Sequence, residues 1–275
     1  MYEDIMPQLV SLHDKATIRA YAMHHPLLHI YEIGDLDDFF WPHTVWYGWL
    51  DGAVITQLAL LYMPFSPPVL LSHANPQRTD HAEFLEALLL VLPRAFYSHV
   101  DTHAVAAFAP HYQAAHHGHY HKMGLTDIHL ASAADDGRAS LLTPADIPAL
   151  ERLYAAAYPG NWFDARMLQT GFYAGIRDGD SIVATAGIHV VSQSEGVAAL
   201  GNVTTLPHLR GHGYGRSVCA HLIRQLTHAG IRHIGLNVSA HNTAAIALYQ
   251  RLGFTKVADY HEYMFTLSER MNNNE

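Results

Sequence analysis

One cysteine, Cys219, is all that the 275 residues contain, so an intramolecular disulfide framework is excluded. Charge is scarce as well: Asp, Glu, Lys and Arg make up 15% of the chain, against 49% hydrophobic residues. No uninterrupted apolar run approaches the roughly eighteen residues that a membrane span requires. The opening MYEDIMPQLV carries acids where a secretory signal needs a basic flank and an apolar core. A soluble, globular, cytoplasmic protein with no membrane partner is therefore expected. Excess positive charge is also missing. The net charge of −9 argues against a nucleic-acid partner, whose binding domain is normally basic. The imbalance lies in one half: residues 1–138 hold 6 Lys and Arg against 15 Asp and Glu, whereas residues 139–275 hold 10 of each. A neutral second half suits a polyanionic ligand, and an acidic neighbour steers cationic molecules toward it.

Histidine, by contrast, is abundant, with 23 residues that include the run HHGHYH from His116 to His121. His117 and His121 have the i, i+4 spacing of metal ligands on a helix. Gly118 weakens such a helix and no fixed carboxylate accompanies it, so no metal site is expected; a pH-sensitive surface is. The small, turn-forming stretch ASAADDGRASLLTPAD, residues 131–146, reads as a junction between two domains, 1–135 and 139–275. Beyond it, patterning predicts helices over 144–158 and 161–169 and strands over 171–177, 181–191 and 197–205. A helix over 213–229 follows, with Val218, Leu222, Ile223, Leu226 and Ala229 on one face and Gly230 as its stop. Then come a strand over 231–238, a helix over 242–252 opened by Asn242 and closed by Gly253, and closing strands over 254–267. The class is α+β, with a central mixed, mostly antiparallel sheet flanked by helices. The first half carries a faint echo of the second: YHKMGL at 120–125 against YQRLGF at 249–254, an offset of 129 residues. That offset suggests a duplicated fold.

The densest signal is RGHGYGRSVCAHL, Arg210 to Leu222, where three glycines alternate inside a basic loop and run straight into a helical pattern. A helix N-terminus leaves backbone N–H groups unpaired and carries partial positive charge, so it can cradle a phosphate. Gly211, Gly213 and Gly215 have no Cβ to keep a diphosphate away. Arg210 and Arg216 add charge, and His208 and His212 add donors. The spacing is neither Gly-x-Gly-x-x-Gly nor a P-loop, so the commoner nucleotide loops are set aside. At the offset of 129 the first half has HAEFLEA, His81 to Ala87, in which the glycines and arginines are gone while Phe84, Leu85, Leu88, Leu89 and Leu92 keep the apolar helical face.

The order GNVTTL, RGHGYG, helix, HIGLNV, NTAAIALYQRLGF resembles the GNAT superfamily of N-acetyltransferases over residues 140–267. The resemblance rests on the Arg-x-x-Gly-x-Gly loop, here Arg210, Gly213 and Gly215, and on Asn242 and Tyr249 seven residues apart. It implies a tandem arrangement, with a degenerate first half and an intact second half that uses acetyl-CoA as cosubstrate. By resemblance, two parallel strands splay and admit the pantetheine arm between Thr204, Thr205 and Leu206 on one side and Asn237 and Val238 on the other. The diphosphate then lies on residues 210–216, including His212, Tyr214 and Arg216. Seven residues make two helical turns, so Asn242 and Tyr249 share a face. Asn242 is expected to bond the cofactor arm, Tyr249 to protonate the leaving thiolate, and the Leu206 N–H to meet the oxyanion.

The base stays open. The strand before the loop has no acid, Glu195 lies in a turn, and His189, His261, Glu262 or a water chain could serve. Cys219, on an apolar helix face, reads as core and not as a nucleophile. Asn161, Trp162 and Phe163 begin the second helix, and Trp162 and Glu262 are the residues assigned to the acceptor side. The implied activity is acetyl transfer to a small-molecule amine in a ternary complex, and the resemblance also admits a homodimer. Two alternatives remain: a coenzyme A sensor without turnover, and a first half that is a protein-interaction module.

Overall fold

The computed structural model describes residues 6–268. In chain order the elements are β1 (Gln8–Leu12), α1 (Lys15–Ala22), α2 (Ile30–Gly34), β2 (Thr44–Asp51), β3 (Val54–Tyr62), β4 (Val69–Ser72), α3 (His81–Leu88), β5 (Ala95–Val100), α4 (Ala104–Phe108), β6 (Tyr112–Leu125), α5 (Ile128–Ser132), β7 (Ser140–Leu141), α6 (Ile147–Ala157), β8 (Ala174–Asp178), β9 (Ser181–Ser192), β10 (Val197–Thr205), α7 (Tyr214–His228), β11 (His233–Ser239), α8 (Thr243–Arg251) and β12 (Phe254–Leu267). They form two compact units, and these are not the two halves of the sequence. Residues 25–37 belong to the second unit with 121–258, and residues 259–268 belong to the first with 6–24 and 38–120. An acidic first-half segment therefore helps to build the second unit.

In the first unit β2 and β3 form an antiparallel pair, β3 pairs with β4, and β4 runs parallel to β5. Residues 261–266 of β12 pair antiparallel with β5. The apolar face of α3, Phe84, Leu85 and Leu88, is fully buried as its spacing predicts. It packs into an aromatic core in which Phe96 stacks on Phe265 and Phe108 meets Phe265 edge-on, both at 5.1 Å between ring centroids.

The second unit repeats this plan. Strands β8, β9 and β10 are antiparallel, and β10 runs parallel to β11. Along the chain one succession thus occurs twice, β2-β3-β4-α3-β5-α4-β6 and then β8-β9-β10-α7-β11-α8-β12, so the expected duplication is present in element order. The six-residue echo is not its trace. YHKMGL lies wholly on β6, whereas YQRLGF runs from the last residues of α8 through a turn to the first residue of β12. The run HHGHYH is also on β6, so His117 and His121 share no helix face.

The central strand β9 is buried on both faces, as its near-continuous run of small and β-branched residues requires. Glycine sets the fit: a Cβ at Gly187 would stand 2.0 Å from the Tyr173 ring. On α7, Val218, Leu222, Ile223 and Leu226 are buried as expected, and Gly230 ends the helix at φ +86°. The expected helix over 161–169 is only a 3₁₀ turn, Ala165–Thr170, capped by the Asp164 side chain. The junction residues are not a loose linker. Asp135 ion-pairs with Arg224 of α7 at 2.8 Å, and Asp136 accepts a hydrogen bond from Ser217 of the same helix.

Candidate acyl-transfer site

Parallel pairing of β10 with β11 runs from Val197 opposite His233 to Leu200 opposite Leu236 and goes no further. The cause lies in β10. Its register against β9 slips between Gly201 and Thr204, and Asn202 stands at φ +52°, the only described non-glycine residue with positive φ. This is a β-bulge, which adds twist and re-aims a strand, and Asn is among the few residues that tolerate the left-handed region. The bulge is pinned from several sides. Its carbonyl accepts from the Tyr154 hydroxyl at 2.9 Å, and its amide nitrogen reaches the Tyr173 hydroxyl at 3.3 Å and the Trp162 carbonyl at 3.4 Å.

Beyond the bulge, Thr204 and Thr205 resume pairing with β9, opposite Thr185 and Ala184. The Leu206 N–H donates to the Val183 carbonyl at 2.9 Å. Leu206 therefore points its amide at β9, and the expectation that this N–H meets an oxyanion is corrected. Alternation of the antiparallel ladder turns the N–H of the preceding residue, Thr205, to the β11 side.

Pro207 ends β10 and opens a short 3₁₀ turn, Pro207–Leu209. Gly211 and Gly213 then adopt φ of +81° and +82°, a region that only glycine enters without penalty. A Cβ at Gly211 would meet nothing within 4 Å, so the loop faces open space. Gly213 is the N-cap of α7, whose first amides, from Tyr214 onward, have no carbonyl one turn back to bond. The Arg210 guanidinium differs from expectation. Its Nε donates to the Thr205 carbonyl at 3.2 Å and its Nη2 to the Ala157 carbonyl at 3.1 Å, so its charge braces the loop. His212 bonds back to the Arg210 carbonyl at 3.0 Å. A cation that sequence reasoning missed lies here instead: the Arg138 guanidinium sits 5.0 Å from the Tyr214 ring centroid and pairs with Asp136 at 2.7 Å. Arg138 holds the Asp136 carboxyl far below the usual carboxylate range.

Just after β11, Asn242 caps α8, its side-chain oxygen accepting from the Ala245 N–H at 3.1 Å. Two turns on, Tyr249 is 7% exposed. Burial, and then the nearby Cys219, Tyr158 and Tyr31, push its phenol well above the ordinary value, so it keeps its proton at every physiological pH. Burial also drives the Cys219 thiol up to about 12, which leaves it inert as a nucleophile.

Residues 141–254 match the sequence profile described as the Acetyltransferase (GNAT) family. The chain is 32% identical over 127 residues to a ribosomal protein bS18 alanine N-acetyltransferase of Salmonella typhimurium, a match covering 45% of this chain and 84% of that enzyme. The chain belongs to the GNAT acetyltransferase family. It is accordingly an acetyl-CoA-dependent acyltransferase. A mycothiol acetyltransferase of Renibacterium salmoninarum is 31% identical over 115 residues, 41% of this chain and 33% of that one. The Escherichia coli alanine N-acetyltransferase is 38% identical over 73 residues, 26% of this chain, and the match spans about half of its length, 49%. Two solved structures share the fold over nearly the whole chain. A tandem GNAT protein from the clavulanic acid pathway has TM-score 0.56 at 15% identity, covering 97% of this chain and 100% of its own. A Drosophila protein has TM-score 0.66 at 15% identity, covering 95% and 99%.

Within this GNAT chain the second unit brings together Thr204, Thr205, the loop 210–216, Asn237, Asn242 and Tyr249. Trp162, 46% exposed, is not core; its carbonyl bears on the bulge. Glu262 and His261 lie in the first unit. There Glu262 is engaged by the Tyr97 hydroxyl at 2.5 Å, the Tyr260 hydroxyl at 3.1 Å and His99 at 3.3 Å. Trp162, the other residue assigned to the acceptor side, belongs to the second unit. Of the three base candidates, His189 alone joins the second unit, where a Cβ at Gly201 would stand 2.1 Å from its ring. Burial lowers His189 to about 4, so it is neutral at physiological pH. Tyr31 of α2 lies 6.4 Å from it, ring to ring. Beside Tyr31, Glu32 is buried, and although burial raises its pKa, His29 at 3.2 Å and then Lys122 outweigh that and hold it ionised. Nothing in the first half of the sequence marks residues 25–37 as part of this unit; Asn202, by contrast, is the type of residue that a bulge inside a β-branched strand would select.

Proposed function

We propose that the protein is an N-acetyltransferase that moves the acetyl group of acetyl-CoA onto a small-molecule amine by direct attack. One observation carries the reading: β10 and β11 part at a pinned bulge, directly ahead of a glycine loop that opens α7, with a buried protonated phenol on α8, the helix that follows β11. The residues fit the cosubstrate. The diphosphate lies on the backbone of residues 210–216, with Arg138 and Arg216 as neighbouring cations, and the pantetheine arm lies between Thr204–Thr205 and Asn237. Asn242 bonds the arm through its amide NH₂ group, its oxygen being occupied in capping.

Acetyl-CoA supplies an activated acyl carbon; the C–N bond to the amine forms as the C–S bond breaks. The Thr205 N–H receives the negative charge that develops on the carbonyl oxygen, a preorganised donor of the kind that typically contributes ~3 kcal/mol. Tyr249 gives its proton to the departing sulfur. Neutral His189 accepts the proton that the amine loses and, being weakly basic, passes it on to solvent. Trp162, beside the bulge, borders the acceptor. The protein acts in the cytoplasm.

The named relatives keep two other acceptor classes in view, an alanine of a ribosomal protein and mycothiol. Incubation with acetyl-CoA and a panel of small amines, short peptides and amino sugars, followed by free-thiol release, separates these. Thiol release dependent on small amines supports the proposal. Tight coenzyme A binding with no acceptor-dependent release favours a sensor instead.

A further inference from the structure

The first unit has no glycine loop where β4 gives way to α3, but it has something else at the same point of its plan. Strands β4 and β5 are its parallel pair, with Ser72 opposite Val100 at their carboxyl ends. Those ends, with the helices that follow, are where open α/β sheets place ligands. Four polar side chains converge there. His81 is the first residue of α3, Asp101 directly follows β5, His103 precedes α4, and Ser72 ends β4.

We propose that His81, Asp101 and His103 form a divalent transition-metal site of the zinc type, with its remaining position open to solvent. The three ligand atoms all lie within 4.8 Å of one another. His81 Nδ1 is 2.7 Å from His103 Nε2 and 3.9 Å from Asp101 Oδ2. Two ligands of a tetrahedral zinc ion, each about 2.0–2.2 Å from the metal, stand roughly 3.3 Å apart. The two observed separations straddle that value; a small swing of the exposed His103 ring lengthens the shorter one toward it, and a rotation of the half-buried Asp101 carboxylate shortens the longer. Two imidazoles and one carboxylate are a borderline donor set that suits zinc, cobalt or iron(II) better than calcium or magnesium.

The surroundings orient the ligands. Ser72 Oγ, fully buried, lies 3.0 Å from His81 Nε2, and by accepting that N–H it leaves the Nδ1 lone pair facing Asp101 and His103. The Ala74 N–H donates to Asp101 Oδ2 at 3.0 Å and fixes the carboxylate while leaving it lone pairs to share. His103 offers its Nε2 lone pair once its own proton sits on Nδ1, so binding requires a tautomer change and no net loss of charge. Burial differs across the set, with His81 enclosed, Asp101 intermediate and His103 exposed; the ion would enter from the His103 side.

The test uses full-length protein stripped with a chelator and titrated with Co²⁺ alone, read by the visible d–d bands of a four-coordinate ion, then with Zn²⁺ as competitor. One equivalent of Co²⁺ should produce these bands and Zn²⁺ should abolish them. His103→Ala and Asp101→Asn, both at partly exposed positions, should each weaken binding by at least about 10–100-fold, the range seen when even an outer-shell partner is lost. Replacing His116 and His119 together by alanine, neither of them a member of this cluster, should leave the tight equivalent intact. Failure of the wild type to give four-coordinate bands, or bands that survive both His103→Ala and Asp101→Asn, overturns the assignment. None of these readouts depends on acetyl transfer.

Discussion

Replacing Asn202 by valine tests whether the bulge in β10 is what keeps the gap open. Asn202 holds φ +52° and makes two hydrogen bonds through its amide nitrogen, to Tyr173 and the Trp162 carbonyl. A β-branched residue in the left-handed region costs about 1–2 kcal/mol. The two long hydrogen bonds contribute at most about 1 kcal/mol each. The folded state then loses about 1–4 kcal/mol, which for a unit of this size lowers the melting temperature by roughly 2–15 °C. Valine has a second way out, which is to flatten the bulge and let β10 continue pairing with β11 beyond Leu200 and Leu236. That route closes the gap, so acetyl-CoA affinity should fall about tenfold or more, or ~1.4 kcal/mol. Asn202→Gly separates the causes. It keeps the left-handed backbone and loses only the side-chain bonds, so it should destabilise by about 1–2 kcal/mol and bind acetyl-CoA nearly as the wild type does. Thermal melts and calorimetric titration with coenzyme A read both effects. If Asn202→Val melts and binds like Asn202→Gly, strain at this residue does not shape the site and the argument fails.

Tyr249→Phe should lower kcat by about 10²–10⁴-fold with coenzyme A binding preserved, because the phenol acts only when the thiolate leaves; equal losses in binding would mark it as packing. Cys219→Ala should retain thiol release at the wild-type rate, since a thiol raised to about 12 carries no acyl group; an acetylated enzyme seen by mass spectrometry would contradict this. His189 predicts a pH slope. Its folded pKa of about 4 lies below the unfolded value near 6.5, so the unfolded chain binds the extra proton between these pH values. Stability is full above about 6.5 and falls as pH drops toward 4, by roughly 3 kcal/mol from this group. Urea melts of wild type and His189→Gln should converge across that window, and parallel curves would remove His189 from the account.

The second unit was legible because its signals are local. Alternation in Val197–Thr205, the apolar stripe of α7 and the Asn242 cap each follow from chain neighbours alone, and all three elements form within a residue or so of expectation. The loop was legible for a similar reason: Gly211 and Gly213 occupy backbone that other residues resist. What failed needed knowledge of partners. Arg210 reads as a phosphate ligand by its charge, but whether a guanidinium reaches an anion or a carbonyl depends on where Thr205 and Ala157 fold to. Leu206 reads as an oxyanion donor by position, yet a one-residue difference in ladder phase hands that direction to Thr205, and the phase is set by a bulge at Asn202 that periodicity alone does not announce. Residues 25–37 were the least visible of all, because a five-residue helix carries too few turns to show a face. Its membership in the second unit is decided by close approaches such as Gly34 to Val190 and Gly235 to Ile30, where glycine on one side leaves room for an aliphatic side chain on the other. Such complementarity is a property of pairs distant in sequence. The acidic first half therefore supplies more than solubility: it brings Tyr31 to within 6.4 Å of His189, ring to ring, in a unit whose glycine loop was written more than 170 residues later.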